Sequence, residues 1–72
     1  MADKIKINRI KSVLVEKDFS QKELAKKVKR TSTTINRICS NDSQPTLKLL
    51  REIAIVLNVD IKDLLISTPV KP

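Results

Sequence analysis

SQKELAKKVKRTSTTINRIC, residues 20–39, holds two short helices and the turn between them. Ser20 followed three positions later by Glu23 has the spacing of a capping box, in which each side chain pairs an amide that the first helical turn leaves open. A helix is therefore predicted to begin at Gln21. Leu24, Ala25 and Val28 recur at helical spacing and form its buried stripe, while Lys22, Lys26 and Lys27 fall on the other faces. So short a helix is stable only when packed. Beyond Lys29 and Arg30 the hydroxyl run of residues 31–34 supplies an N-cap, best placed at Thr31 because Ile35 and Ile38 then fall inside a second helix ending near Cys39.

That second helix carries two chemistries, separated by a rotation of about 100° per residue. With Ser32 at zero, Asn36, Ser40, Thr33 and Arg37 fall within roughly 140° of arc, and Thr34, Thr31, Ile38 and Ile35 take the opposite side. One side is apolar enough to dock on a neighbour. The other offers hydroxyl, amide and guanidinium groups, the types that read base edges: Arg pairs with guanine, Asn with adenine, Ser or Thr with several partners. Such a face suits the DNA major groove; an ordinary solvated helix face is the alternative at this point.

Ser20, Gln21, Glu23, Leu24, Ala25, Val28, Thr34, Ile35, Arg37 and Ile38 stand where a helix-turn-helix places such residues, and the chain resembles the phage-repressor-like family of lambda repressor, Cro and the XRE group of bacterial regulators. The similarity continues through Gln44, Pro45, Thr46 and Leu47 to Leu57, Asn58 and Val59, so that it spans residues 7–65. The resemblance implies an all-α fold, a compact five-helix lambda-repressor-like DNA-binding domain with the helix-turn-helix at helices 2 and 3. It implies double-stranded DNA as partner, no cofactor, and a homodimer pairing around the last helix. Gln21 resembles the family's phosphate-contacting glutamine, at a helix start whose dipole suits an anion. Lys29 stands where the family usually has glycine, because the tight turn needs a left-handed residue; a side chain there costs on the order of 1 kcal/mol. Asp18, Asn41 and Asn58 follow helices at positions where the family often has glycine, and Asp and Asn enter the left-handed region most readily.

Ser32, Thr33, Asn36 and Arg37 are the base-reading candidates. Gln21 and Lys22 are assigned to phosphates, with further phosphate contacts from Ser40, Asn41 and Gln44 in the following loop. Arg30, beside the turn, reaches either the DNA backbone or solvent. Cys39 is better read as a small apolar packing residue than as a redox switch.

The whole chain has 72 residues, which allows one small domain burying only about 60% of its unfolded surface. Phe19 is the single aromatic, so the core is aliphatic and suits helix packing. No glycine argues against phosphate-cradling loops, and no histidine with one cysteine leaves no ordinary zinc set. A lone cysteine fits a reducing cytoplasm, and neither a bilayer-length apolar run nor a leader segment is legible. Net charge is +7. Residues 1–37 hold eleven Lys or Arg against four carboxylates, whereas residues 38–72 hold four of each sign, so the whole excess lies in the half carrying the two helices. Such asymmetry is what a polyanion-binding surface shows.

Residues 1–66 read as the helix-turn-helix domain and 67–72, with two prolines in the last four positions, as a flexible tail; residues 1–4 are expected to fray. A first helix is predicted over residues 4–17 with Ile7, Ile10, Val13 and Leu14 on one face. A fourth follows Thr46, with Leu47, Leu50, Ile53, Ala54 and Leu57 inward and Ile55, Leu49 and Val56 off the stripe. Asp60 with Asp63 caps a last short helix containing Ile61, Leu64 and Leu65. Exposed apolar residues among Ile55, Leu49, Val56, Ile66 and Val70 are the candidates for homodimer contact. The chain reads as a sequence-specific transcriptional regulator. An antitoxin of a toxin-antitoxin pair, holding a toxin as protein partner, ranks second and would be revealed by co-purification of that toxin. A membrane binder would need the first helix's apolar face, which the core also needs. An enzyme would need a base or nucleophile with a partner, and none is legible.

Overall fold

The computed structural model describes residues 6–67. Helices α1 (Ile10–Glu16), α2 (Gln21–Lys27), α3 (Ser32–Cys39) and α4 (Leu47–Leu57) are followed by one 3-10 turn at Ile61–Leu64. Among the described residues the fold is all-α with four helices, not five. Asp60 and Asp63 do form the expected capping box, but the element lasts a single turn: Leu65 is already extended (φ −110°, ψ 151°) and bridges antiparallel to Asn8. No helix among the described residues is long and apolar enough to cross a membrane. The expected fraying of residues 1–4, and all of the expected tail except Ser67, lie outside the described residues.

The chain start departs most from expectation. The predicted helix over 4–17 begins only at Ile10, and Ile7 is 46% exposed rather than on its buried face. The reason is Asn8, whose side-chain Oδ1 accepts from the Ile10 amide at 3.2 Å and so starts the helix in place of backbone pairing. Upstream, the chain runs extended along the 65–66 segment, with Arg9 N–H donating to the Leu64 carbonyl and Ile66 N–H to that of Ile7, both at 2.8 Å.

The other starts are capped as read: Ser20 with Glu23 in a reciprocal box, Thr31 accepting from the Thr34 amide, and Thr46 from that of Leu49. Every helix ends on a non-glycine residue in the left-handed region: Asp18, Lys29, Asn41 and Asn58 have φ of 55°, 57°, 60° and 56°. At each, two backward amide bonds close the end, as where Lys29 N–H reaches the Lys26 carbonyl and Arg30 N–H reaches that of Ala25. Asp and Asn tolerate this conformation; Lys29 has no such excuse. Lys29→Gly is therefore expected to raise the unfolding free energy by about 1 kcal/mol, or about 4–8 °C in thermal midpoint for a domain of this size. A melting curve unchanged or lowered by the substitution would show that the turn is not strained.

The core is aliphatic throughout, with Ile10, Leu24, Ile35, Ile53 and Leu64 wholly inaccessible. α2 packs on α3 and α4, and α1 on α3, so the two helices of residues 20–39 are braced from both sides. On α4 the stripe is rotated from its predicted position: Leu49 is buried and Leu47 is 83% exposed. Measured from Ile53, Leu49 lies about 40° away and Leu47 about 120°, so the core arc takes the former and leaves the latter at its edge.

Candidate nucleic-acid interface

α3 is held by its inner face and free on its outer one. Ile35, Ile38 and Cys39 are buried, whereas Ser32, Thr33, Asn36, Arg37 and Ser40 are exposed. Thr31 and Thr34 spend their hydroxyls on each other at 2.9 Å, fixing the helix start. Among the described residues, the side chains of Ser32, Thr33, Asn36 and Arg37 have no internal hydrogen-bond or ion-pair partner. Their donors and acceptors are therefore available to a ligand. Burial pushes the Cys39 thiol above its usual pKa, with Lys11 pulling partly back, so at neutral pH it stays protonated and packs as an apolar group.

Three other candidates are used differently from what their residue types suggested. Asn41 Oδ1 accepts from the amides of Ile7 and Asn8 (3.0 and 3.1 Å) and from Gln44 Nε2 (3.1 Å), while its Nδ2 donates to the Asn8 carbonyl at 3.1 Å. Gln44 Oε1 accepts from Asn8 Nδ2 at 2.9 Å. Both amides thus clasp the chain start onto the end of α3. Arg30 folds back, its Nη1 donating to the carbonyls of Val28 and Lys29 at 3.2 and 3.4 Å. Ser40 donates to the Asn36 carbonyl at 2.9 Å, which leaves its lone pairs outward. Gln21 is half-buried at the first position of α2, with Lys22 exposed beside it.

The centre of the clasp, Asn8, was not legible in the sequence. It is 2% exposed, donates through Nδ2 to the Ile38 carbonyl at 3.0 Å as well as to Gln44, and accepts from Ile10. The two partners of its Nδ2 lie thirty and thirty-six positions away along the chain. A polar residue two positions before an apolar stripe was the only hint available.

Two helices meeting through a tight left-handed turn, the second presenting an unpartnered polar face, define a helix-turn-helix protein. A model of the helix-turn-helix family matches residues 10–64, and the chain belongs to that family, in its XRE, phage-repressor-like branch. No curated protein matches it. Among solved structures it is similar to the crystal structure of a protein from Bacteroides fragilis for which DNA binding is proposed, with 44% identity, a TM-score of 0.82, and 85% of this chain and 98% of that one covered.

Proposed function

We propose that the protein is a sequence-specific transcriptional regulator of double-stranded DNA, with α3 lying in the major groove. The observation that carries this reading is the outward set Ser32, Thr33, Asn36 and Arg37, polar and without internal partners on a helix whose opposite face is sealed into the core. Family membership and the DNA binding proposed for the similar Bacteroides fragilis protein support it. Affinity comes largely from Lys and Arg against phosphates, and discrimination from α3. Gln21, Lys22 and Ser40 sit at the margins of this face and take phosphates in our reading; Asn41 and Gln44 act mainly by positioning the end of α3. The protein works as a homodimer, seated on the neighbouring exposed side chains of Ile7, Leu65 and Ile66. Of the candidates read from the sequence, Ile66 belongs to this surface, Ile55 and Val56 line a separate hollow between α2 and α4, Leu49 is buried, and Val70 lies outside the described residues.

Selection of bound sites from random duplexes tests the reading. The expected product is a pair of inverted half-sites about one helical turn, roughly 34 Å, apart. Recovery of no preferred sequence would leave only a basic helical bundle. Lys22→Ala is expected to weaken binding evenly across sequences and to reduce the salt dependence of log K by about one counterion. A changed base preference in that variant would move Lys22 from backbone to base contact.

A further inference from the structure

The two ends of α2 carry opposite surfaces. At its C-terminal end Lys27, Lys29 and Arg30 ring a shallow hollow against α4, floored by Val56 and by Ile55, which is 61% exposed; Glu52 is the one carboxylate at its edge. At its N-terminal end the corner between α1 and α2 gathers Asp18 and Glu23 around Phe19 and Val15, the last 75% exposed, with no cation lining it. Each surface thus sets an exposed β-branched side chain among charges mainly of one sign, three cations against Glu52 in the hollow and two carboxylates in the corner, and the prevailing signs are opposite. One charge in each set is also pre-positioned: Arg30 by the carbonyls of Val28 and Lys29, Glu23 by the Ser20 amide at 3.4 Å.

We infer that the protein self-associates head to tail, the basic hollow of one copy taking the acidic corner of the next. Seven residues of helix separate the surfaces, so one copy cannot fold its own corner into its own hollow. The contact is heterologous: a pair keeps one hollow and one corner free, and the series extends instead of closing as a two-fold pair does. It is therefore distinct from the homodimer above and requires no DNA. Net charge of +7 opposes it over long range, but at about 0.1 M salt that repulsion is screened beyond roughly 10 Å while contact pairs persist.

Sedimentation velocity of the full chain over a concentration series tests this. At about 0.1 M salt the mean mass is expected to rise with concentration beyond that of a dimer, and at about 1 M salt, where screening acts within roughly 3 Å, to stop rising. Val15→Lys and Ile55→Glu change exposed positions and each abolishes the rise alone. A one-to-one mixture restores association, because the first variant keeps its hollow and the second its corner. Two-fold pairing through either patch gives no such rescue. A mass that never exceeds a dimer, a rise unmoved by either variant, or a mixture no heavier than its parts would each overturn the inference. Should either variant lose its helical circular dichroism, Asp18→Asn and Lys27→Gln replace them; both are expected to weaken the salt-sensitive rise, and its persistence in both would overturn the inference.

Discussion

Asn8→Ala is expected to lower the unfolding free energy by about 2–4 kcal/mol. The substitution strips both Nδ2 donors and the Oδ1 acceptor from a site only 2% exposed, leaving the Ile10 amide and Gln44 Oε1 without the partner they now have and the Ile38 carbonyl with the Asn41 backbone amide alone. A buried orphan group costs about 1–3 kcal/mol, and the lost volume adds to it. Domains hold roughly 0.05–0.15 kcal/mol per residue, so the loss is a large share of the whole for a chain of 72. Asn8→Asp keeps the shape and the acceptor but sets a carboxylate against the Ile38 carbonyl, and is expected to cost at least as much. Urea unfolding of the three proteins measures both. A change within about 0.5 kcal/mol for Asn8→Ala, the range of ordinary surface substitutions, would mean that the clasp contributes little.

Arg37→Ala is expected to weaken DNA binding by about 1–3 kcal/mol, roughly 5- to 150-fold, and to relax preference at one base position of the half-site. Because the Arg37 side chain is exposed and unpartnered among the described residues, thermal stability should stay near that of the unaltered chain, which separates this effect from unfolding. Arg37→Lys retains the charge without the planar fork that pairs with a guanine edge, so it should recover part of the affinity and little of the preference. Equal loss on all sequences, fully recovered by lysine, would instead make Arg37 a phosphate contact.

The helix-turn-helix itself was legible because its signals are local. Ser20 and Glu23 sit one turn apart, Thr31 caps three residues on, and Asn58 ends α4 where a left-handed residue was required. The outward set on α3 followed from helical rotation alone, since Ile35 and Ile38 fix which side faces inward. Asn41 was half legible: its left-handed backbone could be anticipated, but its four side-chain hydrogen bonds could not. A glycine would satisfy the first and lose the second.

What the amino-acid order determined by itself was the set of elements governed by neighbours within a turn or two: caps, left-handed ends, and the division of α3 into two faces. Only the tertiary structure decided where the first helix starts, that the last element is a single 3-10 turn, and that Leu49 rather than Leu47 enters the core. The first two depend on partners distant along the chain, such as Asn41 for Asn8 or Asn8 for Leu65, and a hydrogen bond of that span leaves no periodicity to read. The third turns on which arc of α4 its packed neighbours cover, which the rotation of α4 does not fix by itself.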